Sequence, residues 1–183
     1  MPPARTDRTD QAVAATRSPS ATRSKSAPEV REPDAGYLAL PRCLLDVNVW
    51  VALFDDAHLC SGRANDYINT PGTRISTCPL TENCVIRVLN LPSYGRRGAL
   101  GLQLVRNQLA HACQALDHEF WPDDVTLRDD AAINFNRVHG HNQIADLYLL
   151  ALAVKHGGTL VTFDQNIPLD AVHGATDRHL RIL

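Results

Sequence analysis

Positive charge is not in surplus here: 18 Lys and Arg stand against 20 Asp and Glu, a formal net charge of −2. No global basic field gathers a polyanion, so any nucleic acid must be gripped locally. Paired metal-type cysteines are also missing. Cys43, Cys60, Cys78, Cys84 and Cys113 are odd in number, show no CxxC spacing and mostly sit in apolar runs. They read as small buried hydrophobes of a reducing compartment. No stretch approaches the roughly 18 consecutive apolar residues of a membrane span, and the N-terminal residues hold no apolar segment of the secretory type. The expectation is a soluble cytoplasmic protein with no membrane partner. No internal repeat is visible.

Large apolar side chains are scarce over residues 1–36, which are dominated by Ala, Arg, Ser, Thr and Pro. Such a composition predicts a disordered polar tail. Residues 37–183 are the expected folded domain. There short apolar runs alternate with longer helical ones, the pattern of βαβ units around a parallel sheet. Strands are predicted at 42–47, 74–77, 118–121, 159–164 and 179–183. Helices are predicted from Asn48, with that side chain as N-cap, and over 60–69, 79–90, 98–117 and 141–158. Pro79 suits a first helical position, and Gly157–Gly158 a helix stop. In the 98–117 helix, Leu100, Leu104, Leu109, Ala112 and Leu116 are the expected buried stripe.

The run "RCLLDVNVWVALF" (42–54) ends a buried strand on a carboxylate, Asp46, and an isolated ionised carboxylate is expensive to bury. In a right-handed parallel sheet, strand carboxyl ends and the amino ends of the following helices share one edge. Asp46 ends the first strand and Glu82 lies in the first turn after "RIST". Asp146 lies near the start of the helix leading into "TLVTFD", and Asp164 ends that strand. Singly, each acid is better explained by a turn or a helix dipole than by a site. Together they would repel one another unless a multivalent cation sits among them or their pKa values rise strongly. Oxygen-only ligands favour Mg²⁺, with Mn²⁺ as a substitute, over zinc. A cation held this way supports in-line phosphodiester hydrolysis.

The segments "LLDVNVWVALF", "PLTENCVIRVL" and "HNQIADLYLLALAVKHGGTLVTFD", in this order, resemble the PIN-domain ribonucleases, specifically the VapC-like toxins of type II toxin–antitoxin modules. The resemblance covers residues 42–183. It implies a three-layer α/β/α sandwich with a central, mainly parallel sheet and a magnesium-dependent endoribonuclease site. By motif position Asp46, Glu82, Asp146 and Asp164 match the family's acids in turn. Asp46 and Asp146 would be direct metal ligands, Glu82 and Asp164 would act directly or through water, and Asn48 would orient the first acid or the substrate. It also implies an RNA substrate, a cognate antitoxin that covers the site, and a homodimer.

Two other classes stay open. An acid closing the first strand, with a polar residue two positions on, also occurs in haloacid-dehalogenase-like phosphatases, where Asp46 would be the nucleophile. Those enzymes normally carry Asp at the place of Asn48 and have no counterpart of Glu82. The other class is a PIN-like binding module without catalysis. Around the rim, His58, His139 and His141 read as solvated, and Arg87, Arg96, Arg97 and Arg106 as phosphate contacts or solvated helix faces. Trp50, Phe54, Trp121 and Phe135 offer ring faces to unpaired bases, although the spacing of Trp50 and Phe54 reads better as core. Val85, Val88, Leu89, Leu91 and Tyr94 form an apolar stretch fit for core packing or for a partner helix.

Overall fold

A computed structural model describes residues 41–94 and 98–183. The 1–36 segment, Arg96 and Arg97 lie outside the described residues. Five strands, β1 (Cys43–Leu45), β2 (Arg74–Thr77), β3 (Asp117–Phe120), β4 (Thr159–Thr162) and β5 (Leu180–Ile182), form one sheet in the order β3-β2-β1-β4-β5. Every pairing is parallel. The helices are α1 (Val47–Phe54), α2 (Ser61–Ile68), α3 (Pro79–Val88), α4 (Leu102–Ala115) and α5 (Ile144–Lys155).

Strand alternation divides the core in two. Cys43 and Leu45 of β1, Ile75 of β2 and Val161 of β4 pack with Trp50, Ala64, Val85 and Leu109 from α1 to α4. Leu44 and Leu160 face the other way and pack with Leu147, Leu150 and Trp121. The result is the expected three-layer α/β/α sandwich, with α5 on the second face. α5 is apolar on nearly every side because it is buried from Leu147 to Ala153, save Tyr148.

Local chemistry sets the element ends. Asp46, not Asn48, caps α1: its carboxylate accepts from the Val47 backbone N at 2.6 Å. The first strand is therefore shorter than the apolar run, and Asn48 is released from capping. At the end of α5, Gly157 takes φ 65° and donates to Val154 O, while Gly158 donates to Ala153 O at 2.8 Å. That is the double bond of a Schellman stop, which a left-handed glycine permits. Gly158 has a second reason to lack a side chain: a Cβ there would fall 2.5 Å from Arg42 O and 2.5 Å from the Trp121 ring. The close approach lets Thr159 N reach Arg42 O at 2.9 Å and begin β4 against β1.

Other expectations shift. The 141–158 helix begins with a 3₁₀ turn, His141–Gln143, and β4 stops at Thr162, so Asp164 lies in the turn beyond the strand. Leu109, Ala112 and Leu116 of the expected stripe pack on the core, with Leu100 just before α4, whereas Leu104 is 51% exposed and Val105 is buried in its place. Trp50 and Trp121 are core rather than base-stacking surfaces, 0% and 2% exposed. Val85 and Leu89 are core as well, which removes them from any partner groove.

Candidate active site

From β1 the chain moves through α1 and α2 to β2 on one side, while β4 lies on the other side of β1. The sheet reverses its winding between β1 and β4. In open α/β sheets the crevice outside the strand carboxyl ends at such a switch point is where ligands bind. Asp46 follows β1 and Asp164 follows β4, so both stand at that crevice. Asp146, in the first turn of α5, joins them from the second helical layer.

A single hydroxyl organises the centre. Thr162 Oγ1 donates to Asp46 Oδ2 at 2.7 Å and accepts from Asn48 Nδ2 at 3.0 Å and from the Asp164 backbone N at 3.0 Å. One donor and two acceptor sites are thus all used. Asn48 Oδ1 in turn accepts from Phe163 N at 3.4 Å, which fixes the turn carrying Asp164. Thr162 attracts no notice in sequence, where it is one β-branched residue of a buried strand. Its only signal is position, the last residue of a strand directly before an acid-bearing turn. Thr162→Val should lower turnover about 10- to 100-fold, measured as kcat on RNA, while Thr162→Ser keeps most of it.

The carboxylates feel one another. Burial pushes the Asp46 carboxyl up, opposed by its bonds from Thr162 and Val47, and the charge of Asp164 adds to the rise. Asp146 is pushed up to about 7, first by burial and then by the charges of Asp46 and Asp164. Glu82 is placed differently. Its Oε1 accepts from Thr77 Oγ1 at 2.7 Å, and the same hydroxyl lies 2.8 Å from His118 Nε2. The charge of Glu82 also helps raise the Cys113 thiol of α4, after burial, to about 11. Glu82 therefore sits at the same sheet edge but engages β2, β3 and α4, while the three aspartates engage one another.

A cavity of about 430 Å³ opens beside this centre, lined by Asp46, Asn48, His58, Cys84, Asp146 and Leu149 among others. Among the described residues no three His, Cys, Asp or Glu side chains form a ready metal cage. Mg²⁺ does not need one, because it retains several waters and takes one or two carboxylates. The mutual repulsion that raises Asp146 is relieved by a cation, so this donor set fits a hard divalent ion.

The metal-free protein carries a pH signature. Asp146 holds its proton up to about 7 when folded, against about 3.9 for a free aspartate. Between those values the folded state binds more protons, so stability falls as pH rises through the window and is fully present below it. Urea unfolding in EDTA should show a loss of about 1–2 kcal/mol from pH 5 to pH 8, after discounting for a half-exposed group. Asp146→Asn should flatten that difference.

The fold and its crevice define an α/β/α domain with convergent carboxylates at the switch point of a parallel sheet. The family model for the PIN domain matches residues 43–175. Ribonuclease VapC44 of Mycobacterium tuberculosis is 42% identical over 143 residues, covering 78% of this chain and 99% of that protein. Ribonuclease VapC29 of the same organism is 35% identical over 124 residues, covering 68% of this chain and 86% of that protein. Among solved structures, Mycobacterium tuberculosis VapC20, described as a sarcin-ricin loop cleaving toxin, aligns with TM-score 0.49 and 16% identity over 73% of this chain and 98% of that one. The chain belongs to the PIN-domain family, among the VapC-like ribonucleases.

Proposed function

We propose that this protein is a divalent-metal-dependent endoribonuclease, the toxin of a type II toxin–antitoxin pair, acting on single-stranded or looped RNA in the cytoplasm. The observation that carries the reading is geometric: Asp46 and Asp146 line one cavity at the switch point of the sheet, and the Asp164 backbone shares the Thr162 hydroxyl with Asp46. The likeness to relatives named ribonucleases supports it.

In this reading Asp46 and Asp146 hold the ion, Mg²⁺ or in its place Mn²⁺. Asp164 and Glu82 contribute directly or through water. When bound, such an ion neutralises phosphate oxygens and lowers the pKa of a coordinated water. Thr162 aims the Asp46 carboxylate and favours its charged form, and Asn48 braces the Thr162 hydroxyl against the turn bearing Asp164. Water attack leaves a 5′ phosphate and a 3′ hydroxyl. A cognate antitoxin covers the site, and the toxin pairs as a homodimer. Family membership disfavours a haloacid-dehalogenase-like phosphatase with Asp46 as nucleophile, and the retention of all four acids argues against a non-catalytic binding module.

The test is incubation of the full chain with structured RNA and, separately, a small phosphoester. Cleavage of RNA with Mg²⁺ and none with EDTA is the expected result. Turnover of the small ester alone would overturn the assignment.

A further inference from the structure

Beside the carboxylates stands a set of side chains that phosphodiester chemistry does not use. His58 lines the same cavity as Asp46 and Asp146. Its ring stacks at a tilt on that of Phe163, with centroids 6.4 Å apart and planes at 26°. The Arg63 guanidinium sits over Phe163, 5.1 Å from the ring centroid. Phe163 is the residue between Thr162 and Asp164, so this stack is built directly onto the acidic centre.

The stack is held in place before any ligand arrives. The Cys60 backbone N donates to His58 Nδ1 at 3.1 Å, which fixes the imidazole plane. The loop beneath is closed by His58 N to Asp55 O at 2.9 Å and Ser61 N to His58 O at 3.0 Å. Asp55 itself is anchored by the Tyr94 hydroxyl at 2.8 Å and by Ala57 N at 3.0 Å. Arg63 is tied to Leu183 O at 3.1 Å and to Cys60 Sγ at 2.9 Å. Next to His58, Leu59 projects wholly into solvent, an apolar side chain that packs on nothing among the described residues.

A flat, pre-set ring facing a cavity, backed by a second ring and a cation, is the chemistry that receives an unpaired base. We propose that His58, backed by Phe163 and Arg63, is a stacking platform for one unpaired nucleobase of the RNA, seating the adjoining phosphate at the carboxylates. The inference deepens the ribonuclease reading and rests on it for the identity of the ligand. His58 is a positioning residue in this scheme.

Binding and cleavage separate the two ideas. Anisotropy of a labelled single-stranded oligoribonucleotide, read in Ca²⁺, reports the platform, while cleavage in Mg²⁺ reports the ribonuclease reading. His58→Ala should weaken binding about tenfold, and His58→Phe should restore it to within about twofold of wild type, because a ring face and not a proton is required. An oligonucleotide with an abasic residue at the platform position should bind the wild type as weakly as His58→Ala binds the intact strand. In cleavage, His58→Ala should raise KM with little change in kcat. Equal binding by wild type and His58→Ala, or failure of Phe to rescue, would overturn the platform even if RNA is cleaved. Absence of cleavage with the binding pattern intact would instead count against the ribonuclease reading alone.

Discussion

Asp46→Asn and Asp146→Asn should each lower RNA cleavage by about 10²- to 10³-fold or more, with far-ultraviolet circular dichroism unchanged. Both substitutions remove a charge and keep the shape. In Asp46→Asn the new amide keeps a carbonyl oxygen for Val47 N, so the cap of α1 survives, but its NH2 then meets the Thr162 hydroxyl, whose two acceptor sites are already filled. That variant should lose about 1–2 kcal/mol. Asp146→Asn should not lose stability, because its carboxyl is held above its ordinary range by burial and by neighbouring charge. At pH 8 metal-free Asp146→Asn should unfold at equal or higher urea than the wild type. Loss of activity together with retained or increased stability is the mark of a group whose charge serves a ligand. Loss of both in Asp146→Asn would indicate a structural role for that carboxylate.

Trp50→Ala should cost about 3–5 kcal/mol, the usual loss for a large aromatic side chain removed from a core. Trp50 is fully buried in α1 and packs against Phe54, with ring centroids 5.5 Å apart. Trp50→Phe should cost far less, about 1–2 kcal/mol, because the indole N–H has no hydrogen-bond partner among the described residues. Removing that orphan donor offsets part of the lost contact. Chemical denaturation of the two variants against wild type gives both numbers. The contrast also separates this residue from any base-stacking role, since neither variant should change RNA binding while folded.

How far the sequence discloses this molecule depends on which physical signal each feature leaves. The acids are legible because the strand runs "CLLD" and "TLVTFD" break an apolar pattern with a carboxylate, and parallel topology then brings such breaks to one edge. Pro79 and the Gly157–Gly158 pair mark helix ends because their backbone constraints are intrinsic to the residue. The cap of α1 lies two residues before its expected place, since both Asp46 and Asn48 have capping chemistry and only the three-dimensional partner, Thr162, decides between them. The stripe of α4 takes Val105 in place of Leu104 because, of two apolar residues at neighbouring helical positions, either can face the core. Thr162 itself is invisible in the sequence, as its role lies in contacts to residues more than a hundred positions away. His58 looks like an ordinary loop histidine for the same reason. Its meaning comes from Phe163, which no local pattern pairs with it.

In the proposed site Asp46 and Asp146 hold a divalent ion, with Asp164 beside them. Calorimetric titration of the metal-stripped full chain with Mn²⁺ at pH 8 tests this arrangement directly. The expected result is a saturable site in the wild type that is lost in both Asp46→Asn and Asp146→Asn. Binding of undiminished affinity in both variants would contradict it.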